Sequence, residues 1–158
     1  MMERRNLMRP PLKPKEVTAR LRERGFKVTP QRLAVYSALG HTTVHPSAEN
    51  IYQELLADYP TMSLATVYKS LKIFCEVGIA QELNVGEDSF RYDARVHSHP
   101  HIHCIHCGRV DDVETLPTEA FSQQVTKETG YELTGQQYYF YGVCPACRQS
   151  MSTEKGRE

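Results

Sequence analysis

Apolar residues recur at helical spacing through the first half of the chain and give way to strand-like segments in the second. Residues 15–24 form a short charged helix stopped at Gly25. Thr29 followed by Pro30 gives an N-cap and a proline at the first helical position, and Leu33, Tyr36 and Leu39 supply an apolar stripe that ends at Gly40. Ser47 caps a third helix with Ile51, Tyr52 and Leu55 facing inward, terminated at Tyr59-Pro60. Ser63 caps a fourth, in which Leu64, Val67, Leu71 and Phe74 repeat at three- and four-residue steps and Gly78 closes the end. The outer face of that fourth helix carries Thr66, Tyr68, Lys69 and Lys72. Such a pair of short helices fits a helix-turn-helix with its recognition helix last, and it equally fits an ordinary amphipathic surface helix. The segment after Gly78 tips the balance toward DNA. Residues 80–85 and 89–93 read as strands around Gly86-Glu87-Asp88, and helices followed by a hairpin make a winged helix with Arg91 placed to reach phosphate from the wing.

From about residue 93 the texture changes. Strands are expected over 101–106, 109–113 and 131–143, with a helix over 118–128 between the last two. Tyr138-Tyr139-Phe140-Tyr141 is β-prone on both faces, so it is either buried twice over or lies at a subunit interface. The fold class is α+β, in four parts: a flexible basic arm (1–14, with Pro10, Pro11 and Pro14), a winged-helix DNA-binding domain (15–92), an α/β dimerisation and metal-binding domain (93–148), and a disordered polar tail (149–158).

A 40% hydrophobic share with nine Tyr and five Phe is enough to fill a core in 158 residues. No run approaches a membrane span, and the basic N-terminus lacks the apolar centre of a signal peptide, so a cytoplasmic protein is expected. In that compartment thiols stay reduced, and the odd total of five Cys also argues against a disulfide framework. Formal net charge is zero, but residues 1–92 hold 13 Lys and Arg against 10 Asp and Glu, whereas residues 93–158 hold 6 against 9. Ten of those basic residues, Arg32 among them, fall in residues 1–32. Phosphate contacts would concentrate on that face.

Candidate chemistry is densest at residues 97–107, where five histidines and two cysteines fall within eleven positions. Cys104 and Cys107 have the spacing that lets two thiolates bind one ion from a tight turn, and Cys144 and Cys147 repeat it. Together they make a closed, structural zinc site, although the 36 residues between the pairs exceed an ordinary zinc-ribbon loop. Cys75 lies inside the fourth helix as a core thiol. In a strand, His99, His101 and His103 project to one face, with Asp93, Asp111, Asp112 and Glu114 nearby. Imidazole with carboxylate suits Fe(II), Mn(II) or Zn(II). A site that also used His45 would bridge the two domains and couple metal occupancy to their orientation. A zinc hydrolase or a thiol oxidoreductase would draw on the same residue types, the first needing an open zinc with a general base, the second a reactive CxxC.

Over roughly residues 15–148 the sequence resembles the ferric uptake regulator superfamily. The resemblance is carried by Thr29-Pro30-Gln31-Arg32, by His45-Pro46-Ser47-Ala48-Glu49-Asn50-Ile51-Tyr52, by Ser63-Leu64-Ala65-Thr66-Val67-Tyr68, by Phe90-Arg91-Tyr92-Asp93, by His99-Pro100-His101-Ile102-His103-Cys104 through Gly108, and by Tyr141-Gly142-Val143-Cys144-Pro145-Ala146-Cys147. It implies a homodimeric winged-helix repressor that binds double-stranded operator DNA when a regulatory metal is present, and that is not an enzyme. By position it implies His45, Asp93, His99, His101 and Asp112 as ligands of regulatory Fe(II) or Mn(II), with Zn(II) on the four cysteines. Arg32, Ser63, Thr66, Tyr68, Lys69 and Lys72 are then the candidate DNA contacts. Aspartate rather than glutamate at positions 93 and 112 resembles the peroxide-sensing branch, in which iron reacts with peroxide, a ligand histidine is oxidised and the dimer leaves its operator. The matching oxidation-sensitive residues are His45 and His99. The alternative within the family is an iron or zinc uptake regulator. Such regulators tend to carry a further metal site, and here Ser98, Pro100 and Gln136 stand in its place with only Glu119 retained. His97, His103 and His106 have no role in the pattern and are expected at the surface.

Overall fold

The computed structural model describes residues 11–42, 44–86, 90–113 and 115–155. The chain divides into two compact units after Val96. The first holds helices α1 (Pro14–Glu23), α2 (Pro30–His41), α3 (Ala48–Leu55) and α4 (Leu64–Glu76), followed by strands β1 (Gln81–Asn84) and β2 (Phe90–Asp93). The second holds β3 (His101–Cys104), β4 (Val110–Asp112), α5 (Thr118–Thr129), β5 (Tyr139–Gly142) and α6 (Pro145–Lys155).

Local chemistry sets the starts of the helices in the first unit. The side-chain oxygens of Thr29, Ser47 and Ser63 accept from the backbone N–H of Arg32, Asn50 and Thr66, each satisfying a donor that the first helical turn leaves without an intrahelical partner. Asn50 returns the bond to the Ser47 backbone at 3.1 Å, closing a capping box with Asn in place of the usual Glu or Gln. Gly78 ends α4 at φ 74°, a left-handed conformation that other residues adopt only at a cost. The four helices enclose one apolar core in which Val17, Leu21, Val35, Ile51, Val67, Leu71 and Phe74 are almost completely buried. The Tyr36 ring meets Phe74 edge-on at 5.3 Å. β1 and β2 pair antiparallel with Gln81 opposite Asp93, and the turn at Glu87-Asp88 lies outside the described residues.

The second unit is built on a three-stranded sheet of order β4-β3-β5, with β3 antiparallel to β4 and parallel to β5. Its apolar interior is small. Pro100, Cys104 and Val110 are its buried apolar residues among those described, while Ile102, Leu116, Phe121, Val125, Tyr131, Leu133, Phe140 and Tyr141 are exposed on the single chain. α5 buries none of its residues.

Three expectations from the sequence need correction. Residues 11–13 are not part of a flexible arm: Leu12 packs on the helical core and its N–H donates to the Tyr36 hydroxyl at 3.3 Å, while Pro14 opens α1; residues 1–10 lie outside the described set. The tail is helical as far as Lys155, because Pro145 is pre-organised for a first turn and Arg148 N–H bonds back to Cys144 C=O at 3.0 Å. The long strand expected over 131–143 is confined to Tyr139–Gly142, the stretch that β3 pairs. No helix among the described residues is long and apolar enough to cross a membrane.

Candidate metal centres

Cys104 ends β3, Cys107 follows in a turn closed by Gly108 at φ 74°, Cys144 follows β5, and Cys147 sits in the first turn of α6. The parallel pairing of β3 with β5 carries the two CxxC pairs to the same end of the sheet, with Ile105 N–H on Gly142 C=O at 2.9 Å. All four sulfurs lie within 4.8 Å of one another, with Cys104–Cys147 at 3.9 Å and Cys107–Cys144 at 3.8 Å. These separations suit four ligands around one ion and exceed a disulfide bond. Backbone N–H groups of Cys107 and Cys144 aimed at Cys104 draw its thiol down to about 5. Side-chain hydrogen bonding between Cys147 and its neighbours, Cys144 first, pushes its thiol up to about 12. One thiol of the group is thus drawn toward its thiolate form and another is held neutral, a conflict that a divalent cation resolves. Zinc fits this donor set.

In the first unit, Tyr92 N–H donates to Pro46 C=O at 3.0 Å and so fixes the loop before α3 beside the end of β2. That places His45 Nδ1 3.8 Å from Asp93 Oδ1, both side chains being about 95% buried. Asp93 is held on each oxygen: Arg95 N–H donates to Oδ1 at 2.8 Å, and the Gln81 side-chain amide donates to Oδ2 at 3.2 Å.

In the second unit, His99 and His101 converge on Asp112. His101 opens β3 directly opposite Asp112 in the antiparallel register, and their Nε2–Oδ1 distance is 3.6 Å. His99 precedes the strand, with Nε2 3.1 Å from the same Oδ1. Its Nδ1 lies 2.8 Å from the His97 carbonyl, which can only accept, so Nδ1 carries the proton of the neutral ring and Nε2 presents a lone pair. A lone pair and a carboxylate oxygen at 3.1 Å attract only with a cation or a second proton between them, and the donor set therefore fits a metal ion. The nitrogen and oxygen donors favour Fe(II), Mn(II) or Zn(II) over softer ions. The His101 ring is buried and stacks on Tyr139 at 5.9 Å.

The remaining candidates fall outside these groups. His103 lies edge-on to Tyr141 at 6.0 Å, partly buried, rather than joining His99 and His101. The His97 ring lies tilted against His99 with centroids 4.9 Å apart, and His106 is exposed. Asp111 is taken by Arg109 Nε at 2.7 Å, and Glu114 is outside the described residues. Ser98 and Gln136 are joined by a side-chain-to-carbonyl bond of 3.1 Å, and Pro100 is buried. The residue that sequence reasoning missed is Gln81. Its sole signal was position, directly across a predicted hairpin from Asp93.

On α4, Lys69, Lys72 and Tyr68 are exposed, and the Tyr68 hydroxyl donates to Glu49 of α3. Ser63 and Thr66 bond each other at 2.9 Å at the start of the helix. Arg32 is half-buried and donates to the Lys27 carbonyl; Arg91 Nη1 donates to Asn50 Oδ1 at 3.3 Å.

Comparison with known proteins agrees with this architecture. The "Transcriptional regulator PerR" of Clostridium acetobutylicum is 50% identical over 133 residues, covering 84% of this chain and 96% of that protein. The "Peroxide-responsive repressor PerR" of Staphylococcus aureus is 37% identical over the same length, covering 84% and 90%. Among solved structures, the Vibrio cholerae ferric uptake regulator superposes with a TM-score of 0.71 at 28% identity, covering 81% of this chain and 99% of that one. The Helicobacter pylori ferric uptake regulator gives 0.77 at 24% identity, covering 89% and 97%, a likeness of fold. The family model described as "Ferric uptake regulator family" matches residues 23–141, and this chain, with its winged-helix unit, four-thiolate group and two histidine–carboxylate groups, belongs to that family.

Proposed function

We propose that this protein is a homodimeric, metal-dependent transcriptional repressor that binds double-stranded operator DNA with regulatory Fe(II) or Mn(II) and is released by peroxide. The observation that carries the reading is the pair of histidine–carboxylate groups, His45 with Asp93 and His99 and His101 with Asp112, in a chain half identical to a protein named as a PerR regulator. These five residues are proposed to hold one regulatory ion, and Cys104, Cys107, Cys144 and Cys147 a structural zinc. Iron held by these residues would supply a redox centre able to react with peroxide, whereas manganese held by the same residues would be inert to it. Aspartate at both acidic positions supports the peroxide-responsive assignment over an iron or zinc uptake regulator. His45 and His99 are the side chains proposed to be oxidised.

The DNA contacts are proposed to come from the outer face of α4, with Lys69 and Lys72 on phosphate, Tyr68 at the groove, Ser63 and Thr66 at the helix N-terminus, and Arg32 on the neighbouring helix. The exposed apolar side chains of the second unit, Phe121 and Val125 of α5 and Phe140 and Tyr141 of β5, are proposed to be covered by a second copy. The family's regulators being dimeric DNA-binding proteins supports both points, and a cytoplasmic location follows from the function. The test is selection of DNA by the zinc-containing protein from a random pool, with and without Mn(II). Enrichment of a two-fold-symmetric sequence only with manganese is expected. Equal DNA binding by metal-depleted and Mn(II)-loaded protein would defeat the proposal.

A further inference from the structure

Asp93 is held by more than its place in β2. Gln81 opens β1 directly across the hairpin from it, and opposed residues of an antiparallel pair project to the same face. The Gln81 Nε2 atom reaches both Asp93 Oδ2, at 3.2 Å, and the Arg95 carbonyl. Both partners only accept, so the nitrogen end of the amide must face them and its two hydrogens are both placed. Asp93 Oδ1 meanwhile receives the Arg95 N–H and lies towards His45. The carboxylate is therefore not free to rotate. One oxygen is fixed by the amide, and the other is the one presented beside the imidazole.

We propose that Gln81 is a positioning residue for the regulatory metal site, its amide engaging Oδ2 of Asp93 so that the carboxylate offers Oδ1 as a single ligand atom. The proposal rests on the reading of Asp93 as a regulatory ligand. It follows from a general property of metal sites, in which groups that hydrogen-bond a ligand set its orientation, and their loss costs about 10–100-fold in affinity. Gln81→Leu keeps the approximate shape and removes the donor. Released from the amide, Asp93 can turn its second oxygen toward a cation, and both affinity and coordination geometry change.

The experiment titrates Mn(II) into the full-length, zinc-containing protein by calorimetry and records the Mn(II) electron paramagnetic resonance spectrum of the loaded forms. Gln81→Leu, with Gln81→Met as a second donor-less variant should the first fold poorly, is expected to weaken Mn(II) binding about 10–100-fold and to alter the spectrum. Zinc content and circular dichroism should match the parent. In an Asp93→Ala background the same change should have no further effect, since the amide acts through that carboxylate. Parent-like affinity and spectrum in both donor-less variants would overturn the role of Gln81 while leaving the metal site intact. An equal loss in the Asp93→Ala background would overturn it too, by placing the effect elsewhere. If the parent itself binds no manganese beyond its thiolate site, the reading of the regulatory site fails and takes this proposal with it.

Discussion

Cys75 lies on α4, partly buried against the helical core, and burial together with the Glu82 carboxylate pushes its thiol up to about 11 from the ordinary 9. The thiolate is the reactive form, and its population at a given pH falls tenfold for each pH unit by which the pKa rises. At pH 8 the folded protein should therefore hold about 100-fold less Cys75 thiolate than the unfolded chain. The perturbation is iodoacetamide, added to the zinc-loaded protein and to a urea-denatured sample at the same pH, with mass spectrometry of the Cys75 peptide over time. Alkylation should be about 100-fold slower in the folded protein, and its rate should keep rising with pH up to about 11 rather than levelling near 9. The raised pKa also has a stability consequence of definite sign. The fold favours the neutral thiol, so the contribution is fully present below pH 9 and is lost as pH climbs through 11. Cys75→Ser should accordingly leave peroxide-induced release from DNA unchanged. Folded-state alkylation at the denatured rate would refute the burial argument, and loss of the peroxide response in Cys75→Ser would move the sensing chemistry from the histidines to sulfur.

Three other predictions concern the metal groups and the DNA face. Cys104→Ser removes the thiol that backbone N–H groups draw down to about 5, and since a structural zinc contributes on the order of 10 kcal/mol to folding, this variant should lose its zinc by elemental analysis and its second unit should become protease-sensitive; a zinc-free yet protease-resistant second unit would contradict the structural role. Asp112→Glu adds one methylene between the backbone and a carboxylate that now sits 3.1 and 3.6 Å from two imidazoles, and it should retain metal-dependent DNA binding while blunting the peroxide response; unchanged sensitivity would remove the support drawn from aspartate at this position. Lys69→Ala and Lys72→Ala should each weaken operator binding and reduce the slope of log affinity against log salt by about 0.9, and an unaltered slope would place the phosphate contacts on another face.

The helices of the first unit were legible because α2, α3 and α4 each begin with an explicit capping signal, at Thr29, Ser47 and Ser63, and bury a stripe of apolar residues at helical spacing. The four thiolates were legible because their spacing is itself the geometry of the site. α6 was not, since residues 149–155 carry no apolar stripe, and polarity reports only that a segment does not bury itself; Pro145 at the first helical position was the signal available. Residues 131–138 are β-prone by composition, yet β3 pairs only with Tyr139–Gly142, and propensity without a partner does not make a strand. His103 shares β3 with His101 but packs against Tyr141, while His99, outside the strand, reaches Asp112. The alternation of a strand explains His101 and leaves His99 to loop geometry that no periodicity encodes. Gln81 is of the same kind, a contact created by hairpin register.

Peroxide sensing by metal-bound histidines, not by thiols, is the core of the proposed mechanism. Its most direct test is binding to the selected operator by the Fe(II)-loaded and Mn(II)-loaded protein, each before and after peroxide, with mass spectrometry of the peptides that contain His45 and His99. Binding should be lost with iron alone, accompanied by the mass of one added oxygen on one or both peptides. Loss of binding with both metals, or with iron but with the oxygen found only on cysteine, would contradict that mechanism.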